Sequence, residues 1–280
     1  MLSHNKIKIM RIALKIAYIG TEYYGFQTQP GVPTIEGKIH KALKELSAMK
    51  NPSKARYLAS GRTDRGVYAL GQVIAFDTDN AEAARPGTIN SALAQIWVYA
   101  WARVDANFNA RTSAMEREYL YVFWGKGLDI EKMKDAASIF PGRHDFRNFA
   151  DEDKEKATLC DIKRISIQNE GDWFYLGITA TRFLQHMVRK IAASLKLAGK
   201  GEIDRKRLSK MLDCSITDSL QPLDANGLFL KNVVYPDIKW NIDGYARSRA
   251  VEDIHELFIN HGTTARMLDE IERGMMPMNS

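Results

Sequence analysis

Cysteine is scarce: Cys160 and Cys214 are the only two in 280 residues. They are not spaced as CxxC and have no neighbouring histidine pair. A disulfide scaffold is therefore excluded, a zinc site disfavoured, and a reducing compartment fits. No apolar run approaches the ~20 residues that span a bilayer, so no membrane segment is expected. The segment from Met1 to Arg11 carries Lys6, Lys8 and Arg11 but lacks an apolar core followed by a small-residue cleavage site, unlike a secretory leader. No GxxxxGK[ST] loop occurs, nor a GxGxxG after a strand, which leaves ATP-driven and nicotinamide chemistry without support. Short repeats and low-complexity tracts are also missing. Cytoplasm is the expected location.

What is present is ordinary in bulk and uneven in charge. Hydrophobic residues make up 45% and charged residues 26%, the balance of a soluble globular protein with a sizeable core. At roughly 150 residues per domain the length suits two domains or one large one. The net charge is +6, yet Asn241 to Ser280 holds four basic residues against seven acidic ones, so the positive excess lies entirely before Asn241. A basic body with an acidic tail is compatible with a polyanionic ligand, nucleic acid first, and equally with a merely solvated basic surface.

Periodicity divides the chain into two halves of similar plan and an extension: residues 1–112, 113–240 and 241–280. Ile12, Leu14, Ile16 and Tyr18 alternate with Ala13, Lys15 and Ala17, the pattern of a strand with one buried face. After a loop from Gly20 to Pro33, Thr34 caps a helix bearing Ile35, Ile39, Leu43 and Leu46. Further strands are expected at Gln72 to Phe76 and Ile96 to Val104, with a short helix from Ile89 to Ala94 between them. The second half opens with a strand around Tyr119, Tyr121 and Phe123. A helix capped by Asp129 follows, then strands at Ile162 to Gln168 and Trp173 to Thr181. Leu184, Val188, Ile191 and Leu195 form the stripe of a helix ending at Gly199-Lys-Gly201. Asp151 to Lys156 reads as a solvated charged loop, and the residues after Gly244 as one or two appended helices. Mixed elements with hairpin-like strand neighbours argue an α+β fold with a mainly antiparallel sheet.

The most unusual segment is Ser60-Gly61-Arg62-Thr63-Asp64-Arg65-Gly66, a carboxylate between two guanidinium groups and bracketed by glycines. Asp64 can be a nucleophile, a base, a metal ligand or an ordinary turn residue. Arg182, His186 and Arg189, at four- and three-residue steps, would share one face of the later helix as a cleft wall or a solvated face. His186 lacks an HxxxH or HExxH partner, which disfavours a metal role. Tyr119 and Tyr121 suit core packing or a stacking platform for a base. Phe140 to Phe149 joins a tight turn, aromatic anchors and a His144-Asp145 pair, in no context of a reactive serine or cysteine.

Taken in order, these segments resemble the TruA family of tRNA pseudouridine synthases. Ser60 to Gln72 is similar to its Gly-Arg-Thr-Asp and Gly-Val-His-Ala signature. Gly20 to Gln27 with Thr34 to Gly37 is similar to its first strand-loop-helix. Phe108 to Arg111, Arg117 to Tyr121, Phe140 to Phe149, Phe183 to Arg189, and Gly227 to Leu230 with Val234-Tyr235 are similar to its later blocks. The resemblance implies a pseudouridine synthase fold, two similar halves with mainly antiparallel sheets around a central basic cleft. It implies isomerisation of uridine to pseudouridine in tRNA, most often in the anticodon stem-loop, by a homodimer without metal or organic cofactor. Asp64 would be the nucleophile, attacking C1′ or C6 or acting through a glycal. Arg189 would form a salt bridge to it. Tyr119 would stack on the base and take part in the proton shift at C5. Arg62 and Arg65 would contact RNA, and Leu228 would close the apolar side of the pocket.

Three departures accompany the resemblance. Arg65 replaces a small residue, Tyr68 a histidine, and Pro222 to Asn226 the commoner Ala-Pro-Ala. They motivate an alternative, a catalytically inactive tRNA-binding or RNA-folding factor on the same fold. A metal-dependent hydrolase built on Asp64 and His144 is a third reading, without ligand spacing to support it.

Overall fold

The structure, a computed structural model, describes residues 9–151 and 157–276. The expectations on the N-terminal segment before Ile9 and on residues 152–156 of the charged run fall outside the described residues.

Among the described residues ten strands and six α-helices follow one another as β1 (Met10–Tyr18), α1 (Ile35–Glu45), β2 (Leu58–Ala59), β3 (Tyr68–Thr78), α2 (Pro86–Asn90), β4 (Ile96–Arg103), β5 (Glu116–Trp124), α3 (Ile130–Ala137), β6 (Gly142–Asp145), β7 (Leu159–Glu170), β8 (Trp173–Ala180), α4 (Met187–Lys200), α5 (Arg205–Leu212), β9 (Leu228–Val234), β10 (Asn241–Ile242) and α6 (Gly244–Met275). All strands join one sheet in the order β10-β4-β1-β3-β9-β5-β8-β7-β6, with β2 paired to β3. Every pairing is antiparallel except β3 with β9. The expected α+β class holds, and the sheets of the two halves run into one another.

Two large hydrophobic clusters cover this sheet, with a small third under α6. One packs α1 and the loop residues Tyr23 and Phe26 onto β1, β3 and β4. The other packs α3, α4, α5 and Phe140, Phe146 and Phe149 onto β5, β7 and β8. Phe140 to Phe149 is thus core-forming. The local signals for α1 and α3 are direct: Thr34 accepts from Gly37 N–H, and Asp129 from the N–H groups of Glu131 and Lys132.

Three expectations are corrected. β1 is buried on both faces: on the small-residue side Ala13 belongs to the first cluster and Ala17 lies under Ala250 of α6 together with Trp97. The first-half helix lies at Pro86–Asn90, not at Ile89 to Ala94, since Pro86 takes the first helical positions where its missing N–H costs nothing. The helix expected to begin near Leu184 begins at Met187. Its cap, His186, has the left-handed φ of 59°, so Leu184 sits in the preceding turn and Arg182, His186 and Arg189 do not share a helix face.

Beyond β10 a single helix, α6, leaves the body. Asp243 caps it, Ala246 and Ala250 are buried against β4, and Trp97 Nε1 donates to Asp253 at 2.9 Å. From Phe258 to Met275 every residue but Asp269 is exposed.

The two halves meet where Tyr68 and Ala69 of β3 pair with Phe229 and Leu230 of β9. Close approach is possible because Gly71 carries no Cβ; one placed there would overlap Asn232 Cα and Lys231 O. Gly71→Ala is expected to lower stability by about 1–3 kcal/mol through overpacking. Gly87→Ala, with nothing within 4 Å of the added carbon, should leave stability unchanged or slightly raised. Urea denaturation followed by tryptophan fluorescence compares them, and equal midpoints would dismiss the contact as a constraint.

Arg11 of β1 is buried and meets Asp77 of β3 at 2.8 Å, while Arg56 reaches the other carboxylate oxygen at 2.6 Å. Burial opposes ionisation of Asp77, yet the hydrogen bonds and charges of the two arginines outweigh it and hold its carboxyl below the usual range. The folded value lies below the unfolded one, so this stabilisation is complete above about pH 5 and is lost as pH falls through the folded value. Asp77→Asn should lower stability at neutral pH and flatten the acid limb of the profile. Denaturation midpoints at stepped pH provide the check.

Candidate active site

The loop before β3 is tied down from beneath. Ser60 Oγ donates to Gln72 Oε1 at 2.5 Å, Gln72 Nε2 donates to Gly61 O at 3.1 Å, and Tyr18 Oη lies 2.8 Å from Thr63 Oγ1. All four side chains are buried. Phe26 N–H donates to Thr63 O, and the backbone of Gly25, at φ 89°, passes against Thr63 and Arg65 where a side chain would crowd them. The loop then turns with Val67 N–H donating to Asp64 O, Gly66 supplying the left-handed φ of 87° at the third position. Asp64 is thus a turn residue through its backbone while its carboxylate points out of the turn toward the other half.

From that half, α4 presents Arg189 in its first turn. Its NH1 lies 3.2 Å from Asp64 Oδ2 and its Nε donates to Leu223 O at 2.6 Å. His186 meets the same oxygen, with Nε2 3.3 Å from Asp64 Oδ2. The other ring nitrogen, Nδ1, lies 2.6 Å from Asp151 Oδ2. Behind it, the buried Lys190 holds Asp151 Oδ1 at 2.9 Å and also donates to Ala150 O and Ser219 Oγ. Burial disfavours the charged form of Asp151, but Lys190 and His186 together more than compensate and hold its carboxyl below the ordinary range.

Tyr119 of β5 is half-buried, with Phe183 edge-on at 5.0 Å between ring centres. Burial pushes its hydroxyl up to about 12; Arg117 pulls against this and the Asp64 charge adds to it. Tyr119 is therefore a neutral phenol at physiological pH. Two strand positions earlier, Arg117 donates to the carbonyls of Ser60, Arg111 and Thr181, at 3.0, 2.8 and 2.9 Å, and so ties the Asp64 loop to the second half.

The other sequence-derived candidates are placed as follows. Arg62 is exposed. Arg65 is exposed and lies over the ring of Tyr24, 4.2 Å from its centre. Leu228 is buried at the start of β9, opposite Tyr121 of β5 and within the second cluster. His144 turns to Pro141 O and Asp145 pairs with Arg147, so neither joins Asp64. Among the described residues no three His, Cys, Asp or Glu side chains gather as a metal site would need. Asp151, expected in a solvated loop, is instead an internal partner of His186 and Lys190. The one sequence signal for this was Lys190 itself, a cation within the apolar stripe of α4.

A family model described as tRNA pseudouridine synthase matches residues 136–236, the stretch that carries Asp151, His186, Arg189 and Leu228. Relatives named tRNA pseudouridine synthase A extend the similarity through the Asp64 loop. The protein of Methanosarcina mazei is 43% identical over 265 residues, 94% of this chain and 98% of its own. That of Methanococcoides burtonii is 43% identical over 94% of this chain and 96% of its own. That of Thermococcus sibiricus is 38% identical over 93% of this chain and 98% of its own. The chain belongs to the tRNA pseudouridine synthase A family. Its mixed α+β fold with one largely antiparallel sheet is the pseudouridine synthase fold. Within this member of the family, the Asp64 loop and the Arg189 helix lie 125 residues apart in the sequence and meet across the seam of the sheet.

Since Gln72 is the hub beneath the loop, Gln72→Ala should free Ser60 and Gly61 and leave their buried polar groups unpaired. A loss of about 1–3 kcal/mol in stability is expected, together with faster hydrogen exchange in residues 60–64. Unchanged exchange there would show that the loop is held by its backbone contacts alone.

Proposed function

We propose that this protein isomerises uridine to pseudouridine in tRNA, in the anticodon stem-loop, with Asp64 as the nucleophile. Family membership supports the reaction. The observation that carries the residue assignment is the carboxylate of Asp64, held at the seam on one oxygen by Arg189 and half exposed toward the solvent-facing side.

The isomerisation exchanges one bond for another with no net gain or loss of atoms: N1–C1′ breaks, C5–C1′ forms, the C5 proton leaves and N1 gains one. In one route an Asp64 oxygen takes C1′ as an ester while uracil leaves, turns and returns through C5, releasing the carboxylate. In a second, the oxygen adds to C6 of the ring. In a third, it removes the C2′ proton to give a glycal. Each route needs a carboxylate at position 64 within reach of a nucleotide taken out of its stack. Arg62 and Arg65 supply exposed cations for the RNA backbone on either side of it, consistent with a basic body. Tyr119 offers a flat face to uracil. As a neutral phenol, it passes the C5 proton by relay through its hydroxyl rather than as a free phenolate. Leu228 supplies apolar surface behind the site.

The same reading takes the protein as a cytoplasmic homodimer. Exposed Phe258, Met267, Leu268 and Ile271 on α6 support an intermolecular contact, because apolar side chains in such number are costly to leave in water.

Purified wild-type and Asp64→Asn protein would be incubated with unmodified tRNA transcripts and pseudouridine mapped nucleotide by nucleotide. Product in the anticodon stem-loop from wild type is expected, with the rate of the variant lower by a factor on the order of 10⁴ or more and tRNA binding retained. An active variant would remove Asp64 as nucleophile. Binding without product from wild type would favour a silent RNA-binding factor.

A further inference from the structure

His186 stands in an unusual place for a residue with a Cβ. At φ 59° and ψ 4° it occupies the left-handed region, immediately before α4, where glycine would be accommodated without strain. Its ring contacts explain what the histidine does there. Nε2 lies 3.3 Å from Asp64 Oδ2, and Nδ1 lies 2.6 Å from Asp151 Oδ2. Asp151 is itself fixed by Lys190, which is 4% exposed and anchored on Ala150 O and Ser219 Oγ. A line of alternating partners therefore runs from the core to the reacting carboxylate: Lys190, Asp151, His186, Asp64.

We propose that His186 is a positioning residue for Asp64, which determines the carboxylate oxygen offered to the substrate. This rests on the reading of Asp64 as nucleophile. Both Arg189 NH1 and His186 Nε2 reach Oδ2, and no described residue holds Oδ1. One contact at 3.2 Å would leave the carboxylate free to swing about its Cβ–Cγ bond. Two contacts on the same oxygen, from residues three apart across the start of α4, stop that rotation and leave Oδ1 as the oxygen presented for bond formation or proton removal. Asp151 orients the ring by the short bond to Nδ1, so that Nε2 faces Asp64. Carboxylate to histidine to reactive group is a recurrent means of fixing an imidazole, here turned toward a nucleophile. The left-handed backbone is what brings the ring between the two carboxylates; a helical residue at 186 would carry its side chain away from this line.

The test uses the full chain with its tRNA substrate. His186→Gly removes the ring while accepting the backbone conformation, and leaves a gap of imidazole size. Its single-turnover rate of pseudouridine formation is expected to fall about 10- to 100-fold, the cost of a misplaced reacting group. Its tRNA dissociation constant and melting temperature should stay close to wild type. Added imidazole should restore activity several-fold in His186→Gly and not in Asp64→Asn. Asp151→Asn should slow the same step, and its effect should not multiply with that of His186→Gly, because both act through one ring.

A wild-type rate in His186→Gly, with Asp64→Asn inactive, would overturn the positioning role and leave the nucleophile standing. So would a loss that follows tRNA affinity or melting temperature and does not respond to imidazole. An active Asp64→Asn would instead overturn the nucleophile, and the role of His186 with it.

Discussion

Between the two halves of the sheet, β3 and β9 pair in parallel over two registers, Tyr68 on Phe229 and Ala69 on Leu230. The backbones can lie this close because position 71 has no side chain. β9 belongs to the second half by sequence, and its other edge pairs antiparallel with β5. The strand is therefore shared: its Leu228 faces one core and its Leu230 and Val233 the other. Everything at the site depends on this seam, since the loop carrying Asp64 leads into β3 and the residues that receive its carboxylate sit at the start of α4, above the second core. Arg117 adds a polar tie across the same line, its half-buried guanidinium donating to three carbonyls from three separate segments.

The electrostatics of the seam alternate in sign. Arg189 and Lys190 are consecutive, yet one serves Asp64 and the other Asp151, with His186 between the two carboxylates. Half-buried charges are tolerable when each has a partner of opposite sign and its remaining hydrogen-bonding capacity is met. Here the backbone helps, with Ala150 O and Leu223 O taking the spare N–H groups of Lys190 and Arg189. Such a network resists rearrangement because moving one member strands its neighbour. Rigidity of this kind suits the proposed reaction, in which the nucleotide leaves its stack and turns, since the moving parts then belong to the RNA.

Local patterns were readable where the governing interaction is itself local. Thr34 and Asp129 as caps, the period-two runs of β1 and β5, and Gly201 at the end of α4 all act within a few residues. The Asp64 loop stood out by composition, and ordered blocks along the chain tied it to a family. What escaped the sequence is long-range or conformational. The pairing of Asp151 with Lys190 joins residues on either side of two strands. The left-handed His186 looks like any helical residue in a string of letters, so periodicity starts α4 too early and puts three side chains on a face they do not share. Burial of Ala17 on β1 depends on α6, which arrives only after the end of the second half.

That last helix has a consequence for how the molecule comes apart. Up to Leu257 it is fastened to β4 and β1 through Trp97, Ala246 and Ala250, whereas its distal turns touch no other part of the described chain to any depth. Helices without tertiary support are marginal in water, so in the isolated chain these turns melt on their own, ahead of the sheet. Helical dichroism and tryptophan emission then report different transitions. A single unfolding free energy would then describe the sheet and its two cores but not the chain.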